Sequence, residues 1–302
     1  MIYFERIEQT YQNILKQGFI MKAILIVLLL LINLHAESFV SNKKQENASY
    51  YILSLKDLII ATQNTRGLTN SYLNGNKNLL RTIKKHQYEM QQAIERLETS
   101  PMVSDPTIEF YTVTISRELS LLNKKALKMD PDIAFLNYTD EISKLIEWAK
   151  IVSYRSKITN HSLGQDVTDL LTKVLLPMIE DIAQIRGIGS GVIVKGKINA
   201  ENKEKILALR TDVGILKKEL QSKMQKILSG YSSVYNNDMA KGVEYISNEI
   251  QQYMNITETI LVISPDTIDS AQYFEKGTKI INMLIKLHKI NHRAAAISLE
   301  TY

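Results

Sequence analysis

Hydrophobic residues recur every three or four positions along most of the chain from residue 50 onward. This spacing places them on one face of an α-helix. Stretches with glycine, proline or asparagine interrupt the pattern and are typical of helix ends. The pattern predicts eight helices, over residues 50–74, 77–98, 105–128, 132–160, 166–194, 200–229, 236–260 and 266–296. Because the connections are short, we expect an all-α fold of two antiparallel four-helix bundles.

Two stretches in this pattern resemble each other across an offset of 120 residues, NTRGLTNSYLNG (64–75) and QIRGIGSGVIVKG (184–196). Both belong to hydrophobic stripes with successive spacings of 4, 3, 4, 3 and 4: Leu55, Ile59, Thr62, Arg66, Thr69 and Leu73, and Leu175, Ile179, Ile182, Arg186, Gly189 and Ile193. Such spacing keeps residues on the face toward the bundle interior. We therefore predict an internal repeat, with halves of about 50–163 and 164–296, and a buried arginine in each half.

The stretch MKAILIVLLLLINLHAES has the layout of a secretory signal peptide, with a basic start at Met21 and Lys22, an apolar run and a polar exit. The run is shorter than the ~20 residues of a membrane span. We predict that translation starts at Met21 and that cleavage follows Ala36. Residues 1–36 are then an upstream segment and signal peptide, and 37–302 a periplasmic or secreted helical domain. An uncleaved N-terminal membrane anchor is the alternative.

The net charge and the motifs of the chain limit the classes of function that the sequence favours. Residues 1–36 contain three of the 37 basic and two of the 32 acidic residues, which leaves 34 against 30 and a net charge of +4. This small excess does not favour nucleic acid as a partner. No catalytic or cofactor-binding motif is recognisable, so we predict neither an enzyme nor a cofactor. His288 and His292 lack a third metal ligand and are interpreted as a surface pair, and Gly75 and Gly196 as helix stops.

Arg66 and Arg186 are the candidate ligand-binding residues. A guanidinium stays charged at any physiological pH, so a buried one requires an anion. The nearby small residues Gly67, Thr69, Gly187 and Ser190 leave room for a ligand and supply hydroxyl groups. The planar guanidinium suits a small planar oxyanion. In the alternative, each arginine pairs with a carboxylate of the protein, for which the candidates are Asp57, Glu180 and Asp181.

Three segments of this chain resemble the NIT domain, the nitrate- and nitrite-sensing module of bacterial receptors and regulators. They are LIIATQNTRGLTNSYLNG, IEDIAQIRGIGSGVIVKGKINAENKEKILAL and SPDTIDSAQYFEKGTKIINMLIKLHKI. The resemblance extends over about residues 50–295 and implies two four-helix bundles that bind nitrate or nitrite through arginines. The matching positions are Arg66 and Arg186. Asn64 and Thr65 stand where relatives often have further charged residues.

Two functions follow as hypotheses. In the first, the chain is an exported sensor module for a small oxyanion, most simply nitrate or nitrite. A membrane receptor or another signalling protein would then transmit the signal, since no output module follows the helices up to Tyr302. In the second, the chain is a structural or interaction protein of the cell envelope with internally paired arginines. Neither hypothesis distinguishes a monomer from a homodimer.

Overall fold

A computed structural model describes residues 43, 46–155, 162–236, 238–262 and 265–300. The predicted signal peptide and its cleavage site lie outside these residues. None of the helices within these ranges combines the length and the apolar character that crossing a bilayer requires.

The described residues form α-helices joined by short turns, and no strand occurs among them. The prediction of an all-α fold is confirmed. The helices are α1 (46–73), α2 (Leu80–Glu98), α3 (Pro106–Lys125), α4 (Pro131–Arg155), α5 (Leu163–Leu170), α6 (Leu176–Lys195), α7 (Ala200–Gly230), α8 (Met239–Val262) and α9 (Ser270–Glu300). A π-helical turn, Leu171–Leu175, joins α5 and α6 into one continuous helix. The described elements therefore correspond to the eight predicted helices.

The helix ends follow from local side-chain chemistry. Asp105 accepts hydrogen bonds from the first free backbone N–H groups of α3, and Asn199 does the same for α7. Gly196 ends α6 with a φ of 63°, a left-handed conformation that costs glycine little. Gly75 follows α1 with a φ of 116°. The interpretation of both glycines as helix stops is confirmed.

The π-helical turn before α6 has a cause in the sequence. Pro177 lies in the first turn of α6, yet the helix continues upstream of it. Inside a regular α-helix the proline ring would clash with the carbonyl four residues earlier, and that carbonyl would lose its N–H partner. The wider turn over Leu171–Leu175 relieves this conflict without a break in the helix.

Beginning at Ala48, the helices form one compact unit with two sets of close neighbours. In the first set, Tyr51 of α1 shares hydrogen bonds with Thr112 of α3 and with the indole N–H of Trp148 of α4. Trp148 is 1% exposed and belongs to the packed interior of this set. In the second set, α6 packs against α7, α8 and α9. Because α6 also contacts α1 and α4, it is the element that the two sets share.

A close approach of α6 and α9 depends on Gly189. A Cβ atom at this position would lie 2.5–2.7 Å from the hydroxyl oxygen and two ring atoms of Tyr273, which is itself 1% exposed. Cβ atoms do not come this close to other atoms, so either the buried ring or the helices would have to shift. Gly191, one residue further on the same helix than Ser190, faces open space instead.

The two glycines predict opposite responses to the same substitution. Gly189→Ala should lower the free energy of unfolding by about 1–3 kcal/mol, because the added methyl group overpacks against a buried ring. Gly191→Ala should raise it by about 0.5–1 kcal/mol, since alanine favours an exposed helix interior. Urea unfolding followed by circular dichroism measures both changes. Equal effects of the two substitutions would contradict the close approach.

Candidate functional site

The two arginines of the predicted repeat are both in the interior. Arg66 on α1 is 2% exposed and Arg186 on α6 is 8% exposed. Their prediction as buried residues, from the 4,3 spacing of the stripes, is therefore confirmed. Each has lost most of its hydration, which costs several kcal/mol unless other groups replace the water.

Arg66 is held by a ring and a hydroxyl on α4. Its guanidinium carbon lies 4.8 Å from the ring centre of Phe135, and Nη1 donates a hydrogen bond to Oγ1 of Thr139 at 2.9 Å. The threonine hydroxyl donates its own hydrogen to the carbonyl of Phe135, one turn earlier. Its oxygen lone pairs are thus turned toward the cation.

Arg186 is held in the same manner by α9. Its guanidinium carbon lies 4.4 Å from the ring centre of Phe274, and Nη1 donates to Oγ1 of Thr278 at 2.7 Å. The Thr278 hydroxyl in turn donates to the carbonyl of Phe274. A Phe-x-x-x-Thr segment on the helix opposite therefore cradles each arginine. This shared geometry supports the internal repeat.

The two arginines differ in their counter-ions. Arg66 forms a two-point ion pair with Glu180 of α6, with Nη1 to Oε1 at 2.5 Å and Nη2 to Oε2 at 3.2 Å. Glu180 also accepts hydrogen bonds from the amides of Gln63 and Gln184, each at 2.8 Å. The alternative in which a buried arginine pairs with a carboxylate of the protein therefore applies to Arg66, and its partner is Glu180, one of the three candidates.

Arg186 forms an ion pair with none of the carboxylates in the described ranges. Its Nε is fully buried and has no hydrogen-bond partner among the described residues. Burial lowers the pKa of Arg186, and the neighbouring charge of Arg66 lowers it further, whereas Tyr253 and Glu180 act in the opposite direction. A guanidinium nevertheless stays protonated. The site therefore contains a buried cation whose charge is only partly compensated.

Glycines let the neighbouring helices approach this site. A Cβ atom on Gly187 would lie 3.5 Å from the ring of Phe135, so the second Arg-Gly segment contacts the ring that holds the first arginine. On α9, a Cβ atom on Gly277 would lie 3.1 Å from Cγ of Arg186. Gly67, by contrast, has open space around it.

Both predicted hydroxyl residues have a buried side-chain oxygen without a hydrogen-bond partner among the described residues. Thr69 lies on α1 and is fully buried. Ser190 lies one turn after Arg186 on α6, and its buried Oγ has no described hydrogen-bond partner. Ser190 is therefore on the same helix as Arg186, whereas Thr69 is not.

The structure also corrects two interpretations of the sequence, one for Asp57 and one for the histidine pair. Asp57 is not a partner of a buried arginine: it is half-exposed and pairs with Lys56 and Arg96 at the surface. The interpretation of His288 and His292 as a surface pair is wrong for His288, which is 3% exposed. Burial lowers the pKa of His288 to about 3, so this ring is neutral in the folded protein.

Comparisons with known proteins place the chain in a family. A family model described as nitrate and nitrite sensing matches residues 57–296. The chain belongs to this NIT family. A solved structure of the NasR transcription antiterminator resembles this NIT domain with a TM-score of 0.56 and 13% sequence identity, over 88% of this chain and 74% of the other. At that identity the likeness concerns the fold alone. A search of curated proteins finds no match.

Several residues of the NIT domain's site were not singled out from the sequence. Phe135 and Thr139 hold Arg66, yet they lie about 70 positions later in the chain. The signal that points to them is the repetition of Phe-x-x-x-Thr at 135–139 and 274–278. This spacing indicates an arginine-binding segment only once it is known that α1 packs beside α4 and α6 beside α9.

The ion pair predicts strong coupling between Arg66 and Glu180. Arg66→Met should lower the free energy of unfolding by about 3–5 kcal/mol, because it leaves a buried carboxylate without its cation. The double variant Arg66→Met with Glu180→Leu should be more stable than Arg66→Met alone, since no unpaired charge remains. Urea unfolding of the wild type, of Arg66→Met and Glu180→Leu singly, and of the double variant measures the coupling. Additive losses would show that the pair contributes nothing in solution.

Asp181, next to Glu180 on α6, predicts a pH dependence. Burial raises the pKa of Asp181 to about 7, with smaller contributions from Glu180 and Asp212, while Lys150 lowers it. A raised pKa stabilises the protonated form, so this contribution is complete below the unfolded-state value near 4 and is lost as the pH rises through 7. Asp181→Asn should therefore raise the free energy of unfolding by about 1–3 kcal/mol at pH 8 and leave it unchanged at pH 3.5. Urea titrations at both pH values test this, and an equal effect at the two would contradict it.

Proposed function

We propose that this NIT domain is a sensor module that binds a small planar oxyanion, nitrate or nitrite, at Arg186, with Arg66 as the second cation of the site. The observation that carries the proposal is the state of Arg186: a buried guanidinium with an unpartnered Nε and no carboxylate among the described residues. The match to a nitrate- and nitrite-sensing family supports the choice of ligand.

The geometry of Arg186 favours a planar oxyanion with two adjacent oxygen atoms. Nη1 is already engaged by Thr278, whereas neither Nε nor Nη2 donates to a described residue. These two nitrogens form one edge of the guanidinium and present parallel N–H donors. Nitrate and nitrite both place two oxygens on one side of a nitrogen and match this edge.

Energetics also favour ligand binding. Stacking on Phe274 contributes about 0.5–2 kcal/mol and the hydrogen bond to Thr278 about 1 kcal/mol. Together they offset only part of the several kcal/mol that burial of a charge costs. An anion that reaches Nε and Nη2 removes the remaining deficit. Of the predicted supporting residues, Gly187 lets α6 approach the ring of Phe135, and Thr69 and Ser190 supply buried hydroxyl groups, whereas Gly67 faces open space.

The Arg66–Glu180 pair favours the second hypothesis, a structural or interaction protein of the envelope. In that case both arginines serve packing, and anions have no effect. The two hypotheses differ at Arg186, because packing alone gives no reason to bury a cation without a carboxylate.

Export and signal transfer are part of the proposal. The segment up to Ala36 would direct the domain to the periplasm or outside the cell, or would anchor it in the membrane if it is not cleaved. A membrane receptor or another signalling protein would read the bound state. N-terminal sequencing of the protein recovered from a periplasmic fraction distinguishes cleavage after Ala36 from an uncleaved anchor.

The proposal predicts an anion response that depends on Arg186. Nitrate at about a hundredfold excess over its Kd should stabilise the wild-type domain by about 3 kcal/mol and raise its Tm by several degrees. In Arg186→Met the hydrocarbon stem remains while the charge is gone, so the nitrate response should disappear. The ligand-free Tm of this variant should equal or exceed that of the wild type, because an uncompensated buried charge has been removed.

Scanning fluorimetry and calorimetry with nitrate, nitrite, chloride and sulfate measure this response. Arg96→Met is the matched control, because Arg96 is half-exposed and pairs with Asp57 at the surface. It should keep the full nitrate response. A wild-type domain whose Tm and binding heat are unaffected by nitrate and nitrite, or an Arg186→Met variant that still responds, would refute the proposal.

A further inference from the structure

All the hydrogen-bonding contacts of the Glu180 carboxylate that the structure describes are with side chains of the protein. Glu180 is 4% exposed, and its two carboxylate oxygens accept hydrogen bonds from both terminal nitrogens of Arg66 and from the side-chain amides of Gln63 and Gln184. Charge-assisted, two-point pairs of this kind are among the strongest hydrogen-bonded contacts in proteins. Glu180 is therefore the counter-ion of Arg66, and it occupies the position at Arg66 that a ligand would otherwise take.

Only one of the two predicted repeat halves has a carboxylate at this position. Glu180 precedes Arg186 by six residues, and the residue six before Arg66 is Ile60. Glu180 reaches across to the arginine of the other half, but Ile60 cannot do the same for Arg186. Two guanidiniums and one carboxylate leave a single positive charge. Arg66 and Glu180 are the charged side chains that shift the pKa of Arg186. The net charge of +1 therefore applies to the immediate surroundings of Arg186.

We propose that Glu180 determines the charge of the ligand, and that by neutralising Arg66 it makes the site select a monovalent oxyanion over a divalent one. This inference rests on the proposed function. A monovalent anion at Arg186 brings the buried site to neutrality. A divalent anion would leave a net negative charge next to Glu180, and an unpaired buried charge is strongly unfavourable. Glu180 is thus a specificity-determining residue that does not contact the ligand.

Removal of this carboxylate should change the selectivity. The wild-type domain should bind nitrate at least about tenfold more tightly than sulfate, since one charge at close range in a buried site corresponds to that factor or more. In Glu180→Gln the site has two uncompensated cations. Its preference for nitrate over sulfate should fall by about tenfold or more, through tighter binding of sulfate. Calorimetric titration of both proteins with each anion measures the ratio.

Glu141→Gln is the matched control. Glu141 is also buried and ion-paired, but its partner is Lys144, and the other charges that act on it are Glu118 and Asp140. The same chemical change at this position should leave the nitrate-to-sulfate ratio as in the wild type. A changed ratio in the control would show that loss of any buried carboxylate has this effect, and would overturn the assignment to Glu180.

The repeat provides a second test that does not depend on the folding of Glu180→Gln. Ile60→Glu places a carboxylate at the position equivalent to Glu180, where it should pair with Arg186 and complete the charge balance. Nitrate binding should then weaken by about tenfold or more, whereas the neutral variant Ile60→Gln should bind nitrate as the wild type does. Equal nitrate affinities of Ile60→Glu and Ile60→Gln would overturn the inference.

The outcomes separate the two proposals. If the wild type binds neither nitrate nor nitrite, the proposed function and this inference both fail. If it binds nitrate and sulfate equally, or if Glu180→Gln folds and keeps the wild-type ratio, only the inference fails and the oxyanion site remains.

Discussion

The site depends on one electrostatic constraint: two guanidiniums are buried in the same region of a helical domain, and neither is able to lose its charge. Within the described part of the chain, one carboxylate, Glu180, pairs with these arginines, and it is occupied by Arg66 and two amides. Everything else around Arg186 is a weaker substitute for a counter-ion, an aromatic ring and a hydroxyl. This imbalance distinguishes the site from an ordinary buried ion pair, and it corresponds to a glutamate six residues before Arg186 where Ile60 stands six residues before Arg66.

Helix packing serves this arrangement. Gly189 admits the ring of Tyr273, and Gly277 leaves space for the stem of Arg186 and for Tyr253. Glycines in helix interiors cost about 1 kcal/mol each relative to alanine. The close approach they allow is what brings a Phe-x-x-x-Thr segment of α9 within reach of an arginine on α6.

The sequence was sufficient for the helices, their approximate ends and the burial of Arg66 and Arg186, because spacing along a single helix determines which residues share its inner face. It was not sufficient to choose among Asp57, Glu180 and Asp181 as partners. That choice depends on how α6 is rotated against α1, which no pattern within one helix encodes. For the same reason Phe135 and Thr139 were missed: their role arises from the pairing of α1 with α4, far apart in the chain.

Under the proposed function, the position of α6 would couple ligand binding to the arrangement of the surrounding helices. Its Glu180 is tied to α1, its Arg186 to α9, and its Gly187 lies against Phe135 of α4. Arg66 and Arg186 repel each other, and Glu180 offsets this repulsion only in part. Under the proposed function, an anion at Arg186 cancels that repulsion and so favours arrangements in which α1 and α6 lie closer together. Because coupling between a site and a conformation is reciprocal, a partner protein that prefers the closer arrangement would in turn strengthen anion binding. The signal would then originate in the same uncompensated charge that binds the ligand.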